Sequence, residues 1–291
     1  MSNPGPPIPK ASSPKQIVTN NITSSTTQLS KLTPKFQPPR IVLNAVEAWG
    51  KTSCGAFAPD AGILMARDET GYETLLGAGL VPNVPCARVD TWDQLLAMLF
   101  EWDATSYKTL VLDALGGFER LCHEHVCKRE FNGDWGEKGF TAYQRGYEVS
   151  LTDWLALLKA VDRLRDKGVT TLLLSHCKVE TFKNPTGADY DHYVAECHHK
   201  TWALTKRWAD AILFGTFFTI VETDRGSKPE TLRKGKGIGG TERVIYTQHR
   251  DGYDAKNRYN MPESIDIPND PSSIWKTIWT TIQPQTPKGS Q

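Results

Sequence analysis

Gly50, Lys51 and Thr52 stand a few residues after the apolar run Ile41-Val42-Leu43. The eight residues Ala45, Val46, Glu47, Ala48, Trp49, Gly50, Lys51 and Thr52 have the spacing of a phosphate-binding loop, with alanine in place of its first glycine. A buried strand that breaks into a tight loop and re-enters as a helix presents backbone N–H groups to an anion. In that geometry the Lys51 ammonium reaches the β- and γ-phosphates of a nucleotide and the Thr52 hydroxyl holds Mg²⁺, with Ser53 completing the binding segment.

Three further positions fit a nucleotide. Asp113 ends the apolar run Leu110-Val111-Leu112, where a carboxylate is costly without a partner, and the shell of a Mg²⁺ ion is such a partner. Glu69 follows the run Ile63-Leu64-Met65-Ala66. A carboxylate at the end of the strand beside the loop strand can polarise an attacking water, and Glu69 is the choice over its neighbour Asp68. Ser175 and His176 close the run Leu172-Leu173-Leu174, where a polar pair can sense the γ-phosphate and report its loss to the next segment of the chain.

The elements that must position these groups alternate short apolar runs with helical stretches, the pattern of a parallel sheet with crossover helices. Strands are predicted at 40 to 44, 62 to 67, 108 to 113, 169 to 175 and 211 to 214, and helices at 91 to 102 and 148 to 167. One face of the second helix carries Leu151, Trp154, Leu155, Leu158, Val161 and Leu164. Strands at 216 to 223 and 243 to 248 flank a Gly- and Lys-rich segment, which reads as a β-hairpin with a long tip. Ile274, Trp275, Ile278, Trp279 and Ile282 form an apolar stripe suited to a helix docked on the core. The first 38 residues, rich in Ser, Thr, Pro and Asn, lack the apolar content to offset the entropy of ordering and read as a disordered tail.

The 291 residues suffice for one large core. The 34 Lys and Arg nearly cancel the 33 Asp and Glu, so any polyanion site must be local. Six cysteines (54, 86, 122, 127, 177 and 197), without a signal peptide or a bilayer-length apolar run, read as reduced thiols in a cytoplasm. Cys122, His123, His125 and Cys127 lie close together but lack the paired spacing of a zinc site.

The order of these parts resembles the RecA-like P-loop NTPase core, an α/β fold with a mainly parallel central sheet flanked by helices. Gly50-Lys51-Thr52, the segment Asp134-Trp135-Gly136-Glu137-Lys138-Gly139-Phe140, Ser175-His176-Cys177-Lys178 and Tyr253-Asp254-Ala255-Lys256-Asn257-Arg258 are together similar to phage-encoded nucleotide-binding proteins of single-strand annealing type. The resemblance covers about 40 to 282 and implies ATP and Mg²⁺ binding, single-stranded DNA binding and a role in phage recombination. It departs from the family's loop at Ala45 and Ala48.

In a core of this kind the segments 128 to 147 and 177 to 199 line the DNA surface. The first mixes Lys128, Arg129, Lys138 and Arg145 with Phe131, Trp135, Phe140 and Tyr143; the second, read as an irregular loop, holds Lys178 and Lys183. The hairpin tip adds Arg225, Lys228, Arg233, Lys234 and Lys236 among glycines that let the backbone approach phosphates closely. Lys256 and Arg258 alternate onto one face and can clamp a γ-phosphate, with Arg258 supplied to a neighbouring subunit's site.

The expected organisation is a tail at 1 to 38, a core at 39 to 268 that includes the basic hairpin 216 to 248, and a terminal helix and tail at 269 to 291. The expected activity is a DNA-dependent ATPase that promotes annealing or strand exchange. Its expected partners are other copies of itself in a ring or filament and possible single-strand-binding proteins, in a host cytoplasm and without a membrane. A kinase-like enzyme acting on a small molecule and a non-hydrolysing assembly protein are the competing readings.

Overall fold

The computed structural model describes residues 31, 35–223 and 235–282, and for 219–223 and 235–238 the backbone alone. Most of the predicted N-terminal tail, and Arg225, Lys228, Arg233 and Lys234 of the hairpin tip, lie outside the described residues; of Lys236 the backbone is described.

The apolar runs form a ten-stranded sheet. Its main path is β10 (Ser264–Ile267), β8 (Gly235–Tyr246), β7 (Ala211–Thr223), β1 (Arg40–Ala45), β5 (Thr170–Phe182), β4 (Thr109–Asp113), β2 (Ala61–Ala66) and β3 (Cys86–Val89). From β7 to β3 every pairing is parallel, and β8 and β10 add antiparallel strands at the far edge. β6 (Tyr190–Ala195) pairs with β5 and β9 (Lys256–Asn257) with β7. Strands covered on both faces cannot alternate apolar with polar residues, which is why β1, β2 and β4 read as continuous hydrophobic runs.

Helices cover both faces. On one face Val42, Leu64, Leu112, Leu173 and Ile212 pack against α3 (Trp92–Phe100), α4 (Leu115–Phe131), α5 (Arg145–Asp166) and α6 (His199–Trp208). On the other, Ile41, Leu43, Ile63, Leu174 and Leu213 pack against α1 (Lys51–Ala56), α2 (Gly71–Gly77) and α7 (Ile274–Ile282). The apolar stripe of α7 docks as expected, with Ile274, Trp275, Ile278 and Ile282 buried. In α5 the expected face is rotated in one place: Leu155 is exposed and Leu157 is buried in its stead. The α/β architecture with a mostly parallel sheet flanked by helices is the one anticipated. Among the described residues no helix is long and apolar enough to cross a membrane.

Besides the unpredicted β3 and α4, and β8 starting at Gly235 instead of 243, two parts differ in kind. The segments 211 to 214 and 216 to 223 are one strand, β7, running through Gly215. The supposed loop 177 to 199 is mostly a β-hairpin, because β5 continues past the sheet to Phe182 and β6 returns along it from Tyr190 to Ala195.

The N-terminal ends of the parallel strands are tied by one buried carboxylate. Asp210 accepts from Arg40 at 2.9 and 3.1 Å and from Arg258 at 2.9 Å, and pairs with Arg165 at 3.0 Å. Burial opposes its ionisation, but the hydrogen bonds and charge of Arg40, with the charge of Arg165, outweigh it and hold the carboxyl below its ordinary range. Asp210→Asn is expected to cost about 3 kcal/mol at neutral pH, because it removes the buried negative charge that Arg40, Arg165 and Arg258 share. A depressed carboxyl contributes stability above its unfolded pKa of about 4 and loses it as pH falls through the native value. The stability gap between wild type and variant, measured by urea unfolding, should therefore be full at pH 7 and close in acid.

Candidate functional site

At the opposite, C-terminal end of β1 the chain turns through residues 46–50 into α1. Gly50 sits at φ 108° as the residue before the helix, a conformation that side chains with a Cβ rarely adopt. Ala48 takes a positive φ of 57°. Among the described residues, none of the backbone N–H groups of residues 47–53 donates to a protein acceptor, so the loop presents a row of open donors. That is the chemistry a polyphosphate requires.

The alanine at the first position of the loop has a structural counterpart. Ala45 lies in register between His176 of β5 and Gly215 of β7. A Cβ on Gly215 would fall 2.9 Å from that of Ala45 and 2.8 Å from the indole of Trp49. The glycine that the loop lacks is thus found across the sheet, where it makes room for both side chains. A glycine inside a strand is itself a sign of close approach, and in the sequence it was available to be read that way.

Lys51 is buried and donates through Nζ to the carbonyls of Ala45 at 2.8 Å and Val46 at 3.1 Å. Burial lowers its pKa, against the opposing charges of Cys177, Asp113, Glu69 and Glu47. Thr52 donates through Oγ1 to Asp113 Oδ2 at 3.0 Å, which joins the start of α1 to the end of β4. The Asp113 carboxyl is pushed up to about 6, first by burial and then by the negative charge of Glu69; the Thr52 hydrogen bond, His176 and Lys51 pull the other way. Ser53 is buried in the first turn of α1. Among the described residues no cluster of three His, Cys, Asp or Glu side chains could alone hold a metal. Thr52 and Asp113 fit instead a magnesium ion that keeps most of its ligands as water and substrate phosphate.

Glu69 reaches this group from a strand that is not where the sequence placed it. β2 is separated from β1 by β5 and β4. The turn after β2 nevertheless brings Glu69 Oε1 within 3.5 Å of His176 Nε2 at the end of β5. The Glu69 contact raises the His176 pKa, with burial and Lys51 opposing. The turn is fixed by Arg88 of β3, which donates to the carbonyls of Arg67 at 2.6 Å and Glu69 at 3.1 Å. Asp68 points elsewhere, to Arg120 and Arg67. Ser175 donates to the carbonyl of His176 at 2.9 Å.

Lys51, Thr52, Asp113, Glu69 and His176 therefore converge, drawn from four elements. Lys256 and Arg258 do not join them. They pair with β7 and the Asp210 cluster at the N-terminal edge, at the far end of a β1 that spans about 17 Å. Lys256 donates to the carbonyl of Lys206. Within one chain this pair is thus no part of the phosphate site, and service to a neighbouring subunit would require Arg258 to leave Asp210. The two-residue strand β9 and its pairing with β7 are what carry it there.

The residues expected at a DNA surface are divided. Phe140 is fully buried among Phe131, Trp135, Tyr147 and His123, so most aromatics of that segment pack on the protein. Asp134 closes the turn, its carboxylate accepting from Gly136 N–H and its carbonyl from Phe140 N–H. Arg129 is held by Asp153 and Glu130, whereas Lys128, Lys138, Arg145 and Tyr143 are exposed. On the β5–β6 hairpin Lys178 pairs with Glu180 and donates to Cys197 O, and Lys183 pairs with Asp189.

The AAA domain family matches residues 37–259. The chain belongs to that family. No curated protein matches it. Among solved structures, it is similar to a KaiC-like protein of the hyperthermophilic archaeon Pyrococcus horikoshii, at 14% identity over 81% of this chain and 88% of that one, with a TM-score of 0.39. It is also similar to the RadB recombinase, at 12% identity over 79% and 87%, with a TM-score of 0.42. Membership in the AAA domain family agrees with a P-loop that binds nucleotide.

The raised Asp113 carboxyl gives a test independent of activity. Its charged form is disfavoured in the fold, so it adds no cost below the unfolded pKa of about 4 and its full cost above about pH 6. Asp113→Asn keeps an acceptor for Thr52 and is expected to raise stability by up to about 3 kcal/mol at pH 8 but not at pH 4. The same substitution should remove the Mg²⁺ dependence of nucleotide binding.

Proposed function

We propose that this AAA-domain chain binds and hydrolyses ATP with Mg²⁺ and uses the cycle on single-stranded DNA, to promote annealing or strand exchange in phage DNA recombination. The observation that carries the first half is the convergence of Lys51, Thr52, Asp113, Glu69 and His176 beside a loop of open N–H donors. Lys51 exchanges its two carbonyl partners for phosphate oxygens. Thr52 and Asp113 would hold the metal, which would supply positive charge against the phosphates. Glu69 accepts a proton from water, and His176 steadies the Glu69 carboxylate from β5.

Support for the DNA half comes from the loop between α4 and α5. Tyr143 stands fully exposed at a positive φ of 48°, flanked by exposed Lys138 and Arg145, the latter over the Phe131 ring at 5.7 Å. An exposed ring in a segment that also carries exposed cations suits a strand whose bases stack and whose phosphates are neutralised. The sequence adds further cations at Arg225, Lys228, Arg233, Lys234 and Lys236. Assembly of several copies around the strand, with or without a single-strand-binding protein, belongs to this reading.

ATP turnover with and without single-stranded DNA tests both halves. Lys51→Ala should lose nucleotide binding, and Glu69→Gln should bind ATP normally while turnover falls by about 10²- to 10⁴-fold. Normal turnover in Glu69→Gln would remove the base assignment. Lys138→Ala with Arg145→Ala should lower the salt slope of single-strand binding by about 1.4 if both meet phosphates. An unchanged slope would remove this loop from the DNA surface, and no stimulation of the wild type by DNA would favour a small-molecule substrate.

A further inference from the structure

The phosphate-binding loop is fastened from outside by strands that lie far from it in sequence. Val46 N–H donates to Gly215 O of β7 at 3.1 Å, and Trp49 Nε1–H donates to Thr216 O at 3.0 Å. Arg243 of β8 donates through Nε to Trp49 O at 2.7 Å, and its second arm reaches Asn269 O, after β10, at 3.1 Å. Trp49 is wholly buried in the slot that Gly215 leaves open.

Because a peptide unit is planar and trans, its C=O and N–H point in opposite directions, so a bond to one aims the other. The Ala45–Val46 unit turns its N–H outward to Gly215 and its carbonyl inward to Lys51 Nζ. By the same rule, Arg243 draws the Trp49 carbonyl outward, and the Gly50 N–H of that unit is aimed into the loop among the open donors. Arg243 is also the last residue of β8 in the inner register of the hairpin. It pairs with Phe217, and beyond it the register shifts so that Thr219 faces Gly239.

We infer that Arg243 and Trp49 are positioning residues that aim the phosphate-binding N–H groups from the base of the β7–β8 hairpin, so that hairpin geometry and nucleotide affinity are linked. The inference rests on the nucleotide reading above. By linkage the effect runs both ways: nucleotide stiffens the hairpin base, and a hairpin base held in register tightens nucleotide binding.

The test uses the full chain and a fluorescent N-methylanthraniloyl ATP with Mg²⁺, with hydrogen exchange followed in peptides covering 211–218 and 239–246. In the wild type, nucleotide should slow exchange in both peptides. Arg243→Ala should weaken binding about tenfold and abolish that protection. Arg243→Lys, which can still donate to one carbonyl, should recover part of the affinity. Trp49→Phe keeps an aromatic ring in the slot but is smaller and loses the indole N–H, and should weaken binding about threefold with the same loss of protection. A purely structural role would lower the melting temperature without moving the nucleotide dissociation constant. Affinity within twofold of wild type in both Arg243→Ala and Trp49→Phe, or protection that persists in them, overturns the link while the nucleotide site stands. A wild type that binds no nucleotide overturns the site and the link together.

Discussion

The C-terminal edge of the sheet is governed by the burial of opposed charges with too few partners. Strands covered on both faces leave room for polar side chains mainly at their ends, so Lys51, Asp113, Glu69 and His176 gather there. Lys51 has two neutral carbonyls and Asp113 a hydroxyl. Neither is stabilised as an ion in proportion to its burial, which is why the lysine is pushed down and the aspartate up. A polyphosphate with a divalent cation would supply both missing partners at once. The imbalance marks this edge as a binding site more sharply than the loop motif does.

The other end of the same strands shows what a purely structural charge cluster looks like. Asp210 is as deeply buried as Asp113, yet Arg40, Arg165 and Arg258 surround it and it stays ionised. Two aspartates at opposite ends of one sheet thus have pKa values displaced in opposite directions: burial dominates at Asp113, whereas at Asp210 it is outweighed by Arg40 and Arg165. Arg258 belongs to the satisfied end. Its Lys-x-Arg spacing resembled a phosphate clamp, but the spacing carries no information on which edge of the sheet it will meet.

Legibility followed the length of the apolar signal. β1, β2, β4 and the buried half of β5 were readable as hydrophobic runs, and their ends located Lys51, Asp113 and His176. β3 escaped because it is four residues long and half-exposed at the sheet edge. α4 escaped because its buried face includes Glu119 and His123 as well as Leu121 and Val126, which blurs the helical period. The β5–β6 hairpin reads as an irregular loop because its sequence has no helical period, although Lys178-Val179-Glu180 alternates as a strand does. Strand order was not readable at all, so the route by which Glu69 enters from β2 needed the fold. Arg243 lies 194 residues from Trp49, and nothing local announces that contact.

The placement of β1 gives these details a common consequence. Its two neighbours, β5 and β7, each have 13 residues against six for β1, and both overrun the sheet. β5 carries His176 at the edge and runs on into the β6 hairpin, and β7 carries Gly215 and Thr216 at the edge and runs on into the β8 hairpin. The phosphate-binding loop therefore rises between two strands that are also the stems of the two projecting hairpins. A close-packed interior transmits displacement with little loss, so a shift of the loop cannot be absorbed without moving one stem or the other. Glu69 and His176 sit on the β5 side, where γ-phosphate chemistry would act, while Trp49 and Arg243 sit on the β7–β8 side, where the loop's donors are aimed. The residues proposed for chemistry and those proposed to aim the loop therefore reach it from opposite sides of β1.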